Sequence, residues 1–151
     1  MLVAGDRAPD FTAKTQDGTP FRLSDLRGVP VILYFYPKAS SAGCTRESVE
    51  FAKFHGEFAA QGVRIVGISV HDVEKQKAFA EECHLPFPLL ADTTREIARA
   101  YGALGAFGLA KRVTFLIDGS GRIDDVIDTL LPKAHVERAR RRWAPGGPRP
   151  P

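Results

Sequence analysis

Cys44 stands in FYPKASSAGCTRESVEF, where an apolar run ends at Pro37 and a helical pattern takes over. A helix N-terminus presents unpaired N–H groups and about half a positive charge. Both favour a thiolate, which is the nucleophilic form of cysteine. Gly43, directly before it, leaves the backbone open to close approach by another molecule. Ser41, three residues earlier, brings a hydroxyl that could donate to the sulfur or to a bound oxygen. Pro37 can stiffen the entry to the loop and shield the sulfur. A second charge would help, and Arg112 at the head of KRVTFLID is the candidate. If that strand runs antiparallel to its neighbour, it begins at the edge where parallel strands end. Glu47, in the first turn of the helix expected from Thr45, could orient Arg112 through a bidentate pair. Lys38, Arg46 and Lys111 are rival cations, but a guanidinium holds a fixed fork that an ammonium does not. The competing reading makes Cys44 an inert small hydrophobe. Its position, its glycine and the hydroxyl at minus three all weigh against that.

The elements that would position these residues follow from pattern. VILYFY, Val31 to Tyr36, is continuously apolar, as in a strand buried on both faces. A helical stripe then runs from Thr45 through Phe51, Phe54 or His55, and Phe58, and closes at Gly62. VRIVGISV is the next strand, and Asp72 can cap a helix running to about His84. PFPLLAD is a short strand, and TTREIARAYG is a helical turn or two. KRVTFLID and RIDDVIDT, joined by DGSG, predict a β-hairpin, and PKAHVERARRRW predicts a last helix opened by proline. Near the N-terminus, FTAKTQ and PFRL flank Asp17-Gly18, a second hairpin, and SDLRG is a short capped turn. The order predicts an α/β fold: a mixed central sheet flanked by helices, ending in an antiparallel hairpin and a C-terminal helix, which is the thioredoxin-like pattern. Residues 1–144 form one domain in this reading, and the Pro/Gly-rich residues 145–151 a disordered tail. In open α/β sheets chemistry sits at the carboxyl ends of the parallel strands, where Cys44 falls.

Composition excludes several classes. A chain of 151 residues suits one domain with a full core. No apolar run approaches the roughly 20 residues that span a bilayer. The opening MLVAGDRAPDF breaks any apolar leader with charge and proline, so a cytoplasmic location is expected. The net charge of +3 is concentrated in Arg138, Arg140, Arg141, Arg142 and Arg149. Such a run can meet nucleic acid, but it reads better as the solvated end of a helix, where cations suit the dipole. Two cysteines, Cys44 and Cys83, make no disulfide scaffold, and there is no CxxC. No spacing suggests a metal site, phosphate loop or nucleotide fingerprint, and no cofactor is expected. Of the histidines, His55 and His84 fit helix positions and His135 follows the last helix start; His71 follows a strand end near the active edge and could feel Cys44, but it reads better as an exposed loop residue.

Pro37, Ser41 and Cys44 also stand at the spacing of a known active-site pattern: Pro, three residues, Thr or Ser, two residues, Cys. Together with GDRAPDF, LSDLRG, LYFYPK, GCTRE, VGISV, LPFPLLAD, AYG and RVTFLID followed by GRI, the sequence resembles the peroxiredoxins, in particular the peroxiredoxin Q or bacterioferritin comigratory protein branch. The resemblance covers most of the chain in order. It implies that Cys44 is the peroxidatic cysteine, whose thiolate attacks a hydroperoxide and becomes a sulfenic acid. It further implies that Ser41 hydrogen-bonds the peroxide, Pro37 shields the sulfur, and Arg112 stabilises thiolate and transition state. Backbone N–H groups at Gly43 and Cys44 would help hold the oxygens, and Glu47 matches the glutamate of Cys-Thr-x-Glu. The chain departs from the branch in Ala39-Ser40-Ser41-Ala42, which lacks the usual Thr-Pro before Gly-Cys. Serine for threonine loses the methyl that fixes the rotamer.

What reduces the sulfenic acid is the open point. Many relatives carry a second cysteine five residues after the first, and Val49 stands there. Others place it in the second core helix, nearer Ala80 than Cys83. A helix starting near Asp72 at the active edge carries Cys83 about 16 Å away, at about 1.5 Å per residue. A disulfide needs Cα atoms within about 7 Å. Cys83 resolves Cys44 in this reading only if both helices unfold locally. Otherwise Cys83 packs near Leu85 and Phe87, and thioredoxin, glutaredoxin or a small thiol does the resolving. A monomer or weak dimer is expected. Two rival readings remain: a redox-inactive thioredoxin-like binding protein, and a peroxide sensor that passes oxidation to a partner.

Overall fold

The computed structural model describes residues 1–143; the predicted tail and the last residue of the predicted domain lie outside the described residues. Within them seven strands form one mixed sheet: β1 Thr12–Thr15, β2 Pro20–Arg22, β3 Val31–Phe35, β4 Arg64–Ser69, β5 Leu89–Ala91, β6 Val113–Ile117 and β7 Ile123–Asp128. Five α-helices join them: α1 Ala42–Lys53, α2 His55–Ala60, α3 Val73–Glu82, α4 Glu96–Ala100 and α5 Pro132–Arg142. The sheet order is β2–β1–β5–β4–β3–β6–β7. The chain steps from β3 to β4 to β5 in one direction along parallel neighbours, so right-handed crossovers put α1, α2 and α3 on the same face. It then reverses to reach β6 on the far side of β3, and α4 covers the other face. The N-terminal hairpin β1–β2 joins the same sheet through β5, antiparallel.

β3 is buried along its whole length, as its unbroken apolar run predicts. Its residues alternate between two cores. Ile32 and Tyr34, followed by Tyr36, face Phe51 of α1, Phe58 of α2, Phe79 of α3 and Val136, Ala139 and Trp143 of the C-terminal segment. Val31, Leu33 and Phe35 face Ile97 of α4 and Tyr101. β6 pairs antiparallel with β3, Phe35 opposite Val113, so β6 begins at the edge where β3 ends. The residue before Val113 is Arg112, which is thereby delivered to that edge.

Two boundaries differ from the sequence expectation. The helix starts at Ala42, not Thr45, because Ser41 serves as its N-cap and accepts from the Cys44 N–H. Glu47 therefore sits in the second turn. The helix does not run unbroken to Gly62 but bends at Phe54, where ψ is 8°, two residues before Gly56. Arg140 of α5 stacks over the Phe54 ring at 3.9 Å and pairs with Glu57, filling the bend.

Three of the four arginines of α5 meet carboxylates. Arg138 reaches Asp125, Arg140 reaches Glu57 and Arg142 reaches Asp124. The indole of Trp143, fully buried, also donates to Asp124. The basic run thus staples α5 to β7 and α2. Among the described residues no helix is long and apolar enough to cross a membrane.

Candidate active site

β3 ends at Phe35, and the chain turns through Pro37 and Ser40, the latter at a positive φ of 64°, into the N-cap of α1. Cys44 occupies the first turn of that helix, fully buried on the face shared with Tyr34 and Tyr36. Period-two alternation along β6 puts Arg112, Thr114 and Leu116 on the same face. Arg112 Nη2 donates to Cys44 Sγ at 3.3 Å, and Nη1 donates to Glu47 Oε1 at 2.9 Å. The arginine side chain is 9% exposed and that of Glu47 0%, so solvent screens this cluster weakly. Of the four cations considered from the sequence, Arg112 is the one that bonds to the sulfur. The pairing with Glu47 is through one oxygen, not two.

Gly43 has a nearer reason to be glycine than open access. A Cβ there would come within 3.0 Å of Arg112 Nη2 and 4.0 Å of the Pro132 ring. The close neighbour is the guanidinium itself. Pro37 follows β3 half-buried.

Ser41 differs from the expectation that its hydroxyl faces the sulfur. Its Oγ donates to the Lys38 carbonyl at 2.9 Å and accepts from the Cys44 N–H at 3.3 Å. The hydroxyl hydrogen is committed to the loop, and the Cys44 N–H is committed to the cap. Without the threonine methyl, nothing on the side chain itself prevents rotation about χ1.

For Cys83 the sequence left open that α1 and α3 lie on opposite faces. They share a face, and Cys83, at the C-cap of α3, packs on the same core as Cys44. Its thiol lies against the side chain of Thr45, the residue after Cys44. Ser40 also donates to Glu82 at 3.3 Å, tying the loop before α1 to the end of α3. Burial and the Glu82 carboxylate push the Cys83 thiol up from its ordinary range, so at rest it is held protonated.

One further residue completes the cluster, and its helix position alone did not assign it to the site. His135 of α5 is fully buried; its Nδ1 lies 2.8 Å from Thr114 Oγ1 and 3.6 Å from Glu47 Oε2. Its Nε2 lies 2.8 Å from the Thr129 carbonyl. The signal was available: His135 falls on the helical stripe of Val136, Ala139 and Trp143, where only a buried side chain fits. His71, expected to be exposed, is half-buried with Nε2 unpartnered, and burial with Lys75 nearby lowers it.

Comparison with known proteins agrees in sequence and in shape. Residues 4–126 match the family model described as the AhpC/TSA family. A Mycobacterium tuberculosis protein that carries the name peroxiredoxin is 40% identical over 147 residues, covering 93% of this chain and 94% of its own length. The chloroplastic peroxiredoxin Q of Sedum lineare is 36% identical over 90% of this chain and 75% of its own. Among solved structures, peroxidoxin BcpB of M. tuberculosis superposes with a TM-score of 0.87 at 40% identity, over 92% of this chain and 94% of that one. The Xanthomonas campestris bacterioferritin comigratory protein, whose structures address alkyl peroxide reduction, superposes with a TM-score of 0.85 at 25% identity, over 92% and 96%.

Proposed function

The chain belongs to the AhpC/TSA family, in its peroxiredoxin Q and bacterioferritin comigratory protein branch; it is therefore a thiol-dependent peroxidase, and we propose that Cys44 carries the reaction. The observation that supports this most is a buried sulfur at a helix N-terminus held 3.3 Å from a guanidinium. The thiolate attacks the nearer oxygen of a hydroperoxide. The O–O bond breaks, sulfur becomes a sulfenic acid, and the departing oxygen takes a proton to leave as water or alcohol.

Arg112 stabilises the thiolate before attack and the charge that develops on the leaving oxygen. Glu47 holds Arg112 in place. Gly43 makes room for the guanidinium, and its N–H remains a candidate donor to the peroxide. Pro37 shields the sulfur from solvent. Ser41, as found, organises the first turn of α1; it reaches a peroxide oxygen by turning away from Lys38.

Recycling takes one of two routes. Cys83, beside Thr45, supports an internal disulfide once the first turn of α1 and the end of α3 unwind, followed by reduction by thioredoxin or glutaredoxin. An external protein thiol or small thiol attacking the sulfenic acid directly is the other. The reaction needs no bound cofactor, since sulfur carries the electrons, and the reading places the protein in the cytoplasm as a monomer or weak dimer. Replacing Cys44 by serine tests the assignment. Peroxide turnover with a supplied dithiol is expected to vanish; turnover at the parent rate would remove Cys44 from the mechanism.

A further inference from the structure

Behind Arg112, the Glu47 carboxylate has one oxygen without a donor. Oε1 accepts from Arg112, while Oε2 is buried without a hydrogen-bond partner. Oε2 faces His135 Nδ1 at 3.6 Å, and both side chains are 0% exposed. The histidine's own bonds fix its tautomer. The Thr129 carbonyl can only accept, so Nε2 carries the hydrogen. Nδ1 of a neutral ring is then a lone pair, and it takes the hydroxyl hydrogen of Thr114 at 2.8 Å. An ionised Glu47 would set Oε2 against that lone pair: two acceptors face to face, away from water. Buried polar groups are rarely left so.

One proton resolves the conflict. On Oε2 it makes a carboxylic acid that donates to Nδ1; on Nδ1 it makes an imidazolium that donates to the carboxylate. Thr114, whose hydroxyl rotates freely, adjusts to either. Burial raises Glu47 to about 8 against the pull of Arg112, and it lowers His135 to about 4. The proton therefore rests mainly on the glutamate. The surroundings agree. Tyr34 of β3 and Tyr36 just after it face Glu47 and are kept neutral by burial, and Cys44 and Ser48 adjoin them on α1. Around His135, Arg112 just before β6 and Arg138 of α5 oppose a positive ring, and Asp128 at the end of β7 favours one.

The consequence falls on the sulfur. An ionised Glu47 2.9 Å from Arg112, with no charge on His135 to offset it, would cancel much of the guanidinium's charge. We propose that Glu47 and His135 share one buried proton, and that His135 is thereby a positioning residue that leaves the charge of Arg112 available to Cys44. This rests on the reading of Cys44 as the reacting sulfur.

The test has a spectroscopic arm that uses no peroxide. Infrared spectra of the reduced full-length protein across pH 6 to 10, with nitrogen NMR of the histidine rings, locate the proton. The expected result at pH 7 is a buried carboxylic-acid band that disappears in Glu47→Gln, or a doubly protonated His135 beside an ionised Glu47. An ionised Glu47 with a singly protonated ring would overturn the proposal, and this holds in the parent protein even if no variant folds. The kinetic arm follows Cys44 oxidation. His135→Phe is expected to lower the second-order rate constant about ten- to hundredfold, as for partners that orient a primary group. His135→Gln keeps an N–H for Thr129 and an oxygen for the Glu47 proton, and is expected to recover most of that loss. Equal rates for parent, Phe and Gln proteins would refute the positioning role. A protein that holds the proton yet never oxidises Cys44 would retire the peroxidase reading while leaving the proton in place.

Discussion

Arg112→Ala is the substitution whose consequences the structure sets most fully. It deletes a donor 3.3 Å from the Cys44 sulfur and a partner 2.9 Å from Glu47. Preorganised donors of this kind contribute about 2.7–4 kcal/mol to a transition state, or about 10²–10³ in rate. The guanidinium is only 9% exposed, so little of that is lost to screening. Stability is a separate matter. Breaking a buried pair costs about 3–5 kcal/mol when it leaves an unpaired charge behind. Glu47 avoids that, because burial raises it to about 8 and it leaves no bare charge when Arg112 is gone. The loss in stability should therefore fall below that range, at about 1–3 kcal/mol, the cost of one unsatisfied buried group. The assay is stopped-flow oxidation of reduced protein by hydrogen peroxide, followed by loss of the Cys44 thiol, with urea denaturation alongside. Arg112→Lys keeps a charge but cannot fork to both partners, and should fall between parent and alanine. A folded Arg112→Ala protein that reacts within about threefold of the parent would refute the reasoning, since it would leave the nearest cation without the effect its geometry demands.

Other outcomes follow from single contacts. Ser41→Ala removes the cap that accepts from the Cys44 N–H and should cost about 1 kcal/mol, or a fall in Tm of about 2–4 °C by calorimetry. Gly43→Ala places a Cβ 3.0 Å from Arg112 Nη2, so the guanidinium must move; peroxide oxidation of Cys44 should slow about tenfold with far-ultraviolet circular dichroism unchanged. Glu47 gives a signed pH effect. Its folded value is raised from the usual 4.5 to about 8, so the folded state holds the proton more tightly than the unfolded one. That contribution is full below about 4.5 and is lost as pH rises through about 8. Denaturant unfolding across this window should show stability declining in the parent and a flatter profile in Glu47→Gln.

The placement of Arg112 was legible because strand direction and period two are written in the chain. KRVTFLID reads as the first arm of a hairpin, and an antiparallel β6 must start where β3 ends. Cys44 at a helix start was legible from the switch of pattern after Pro37. Three features were not. The first turn of α1 begins earlier than the apolar stripe shows, because the Ser41 cap and not periodicity decides it. Whether Cys83 shares a face with Cys44 depends on which side each crossover takes, and that follows from strand order, which no local pattern encodes. His135 was overlooked because its chemistry comes from Glu47 and Thr114 on other elements, although its place on the apolar stripe of α5 marked it as buried.

The central claim is that Cys44 is the sulfur that meets peroxide. One equivalent of hydrogen peroxide added to the reduced protein, followed by intact mass and a peptide map, tests it most directly. The account predicts one oxygen on Cys44, or the loss of two hydrogens with Cys44 joined to Cys83. An unmodified Cys44, or oxygen appearing on Cys83 alone, would contradict it.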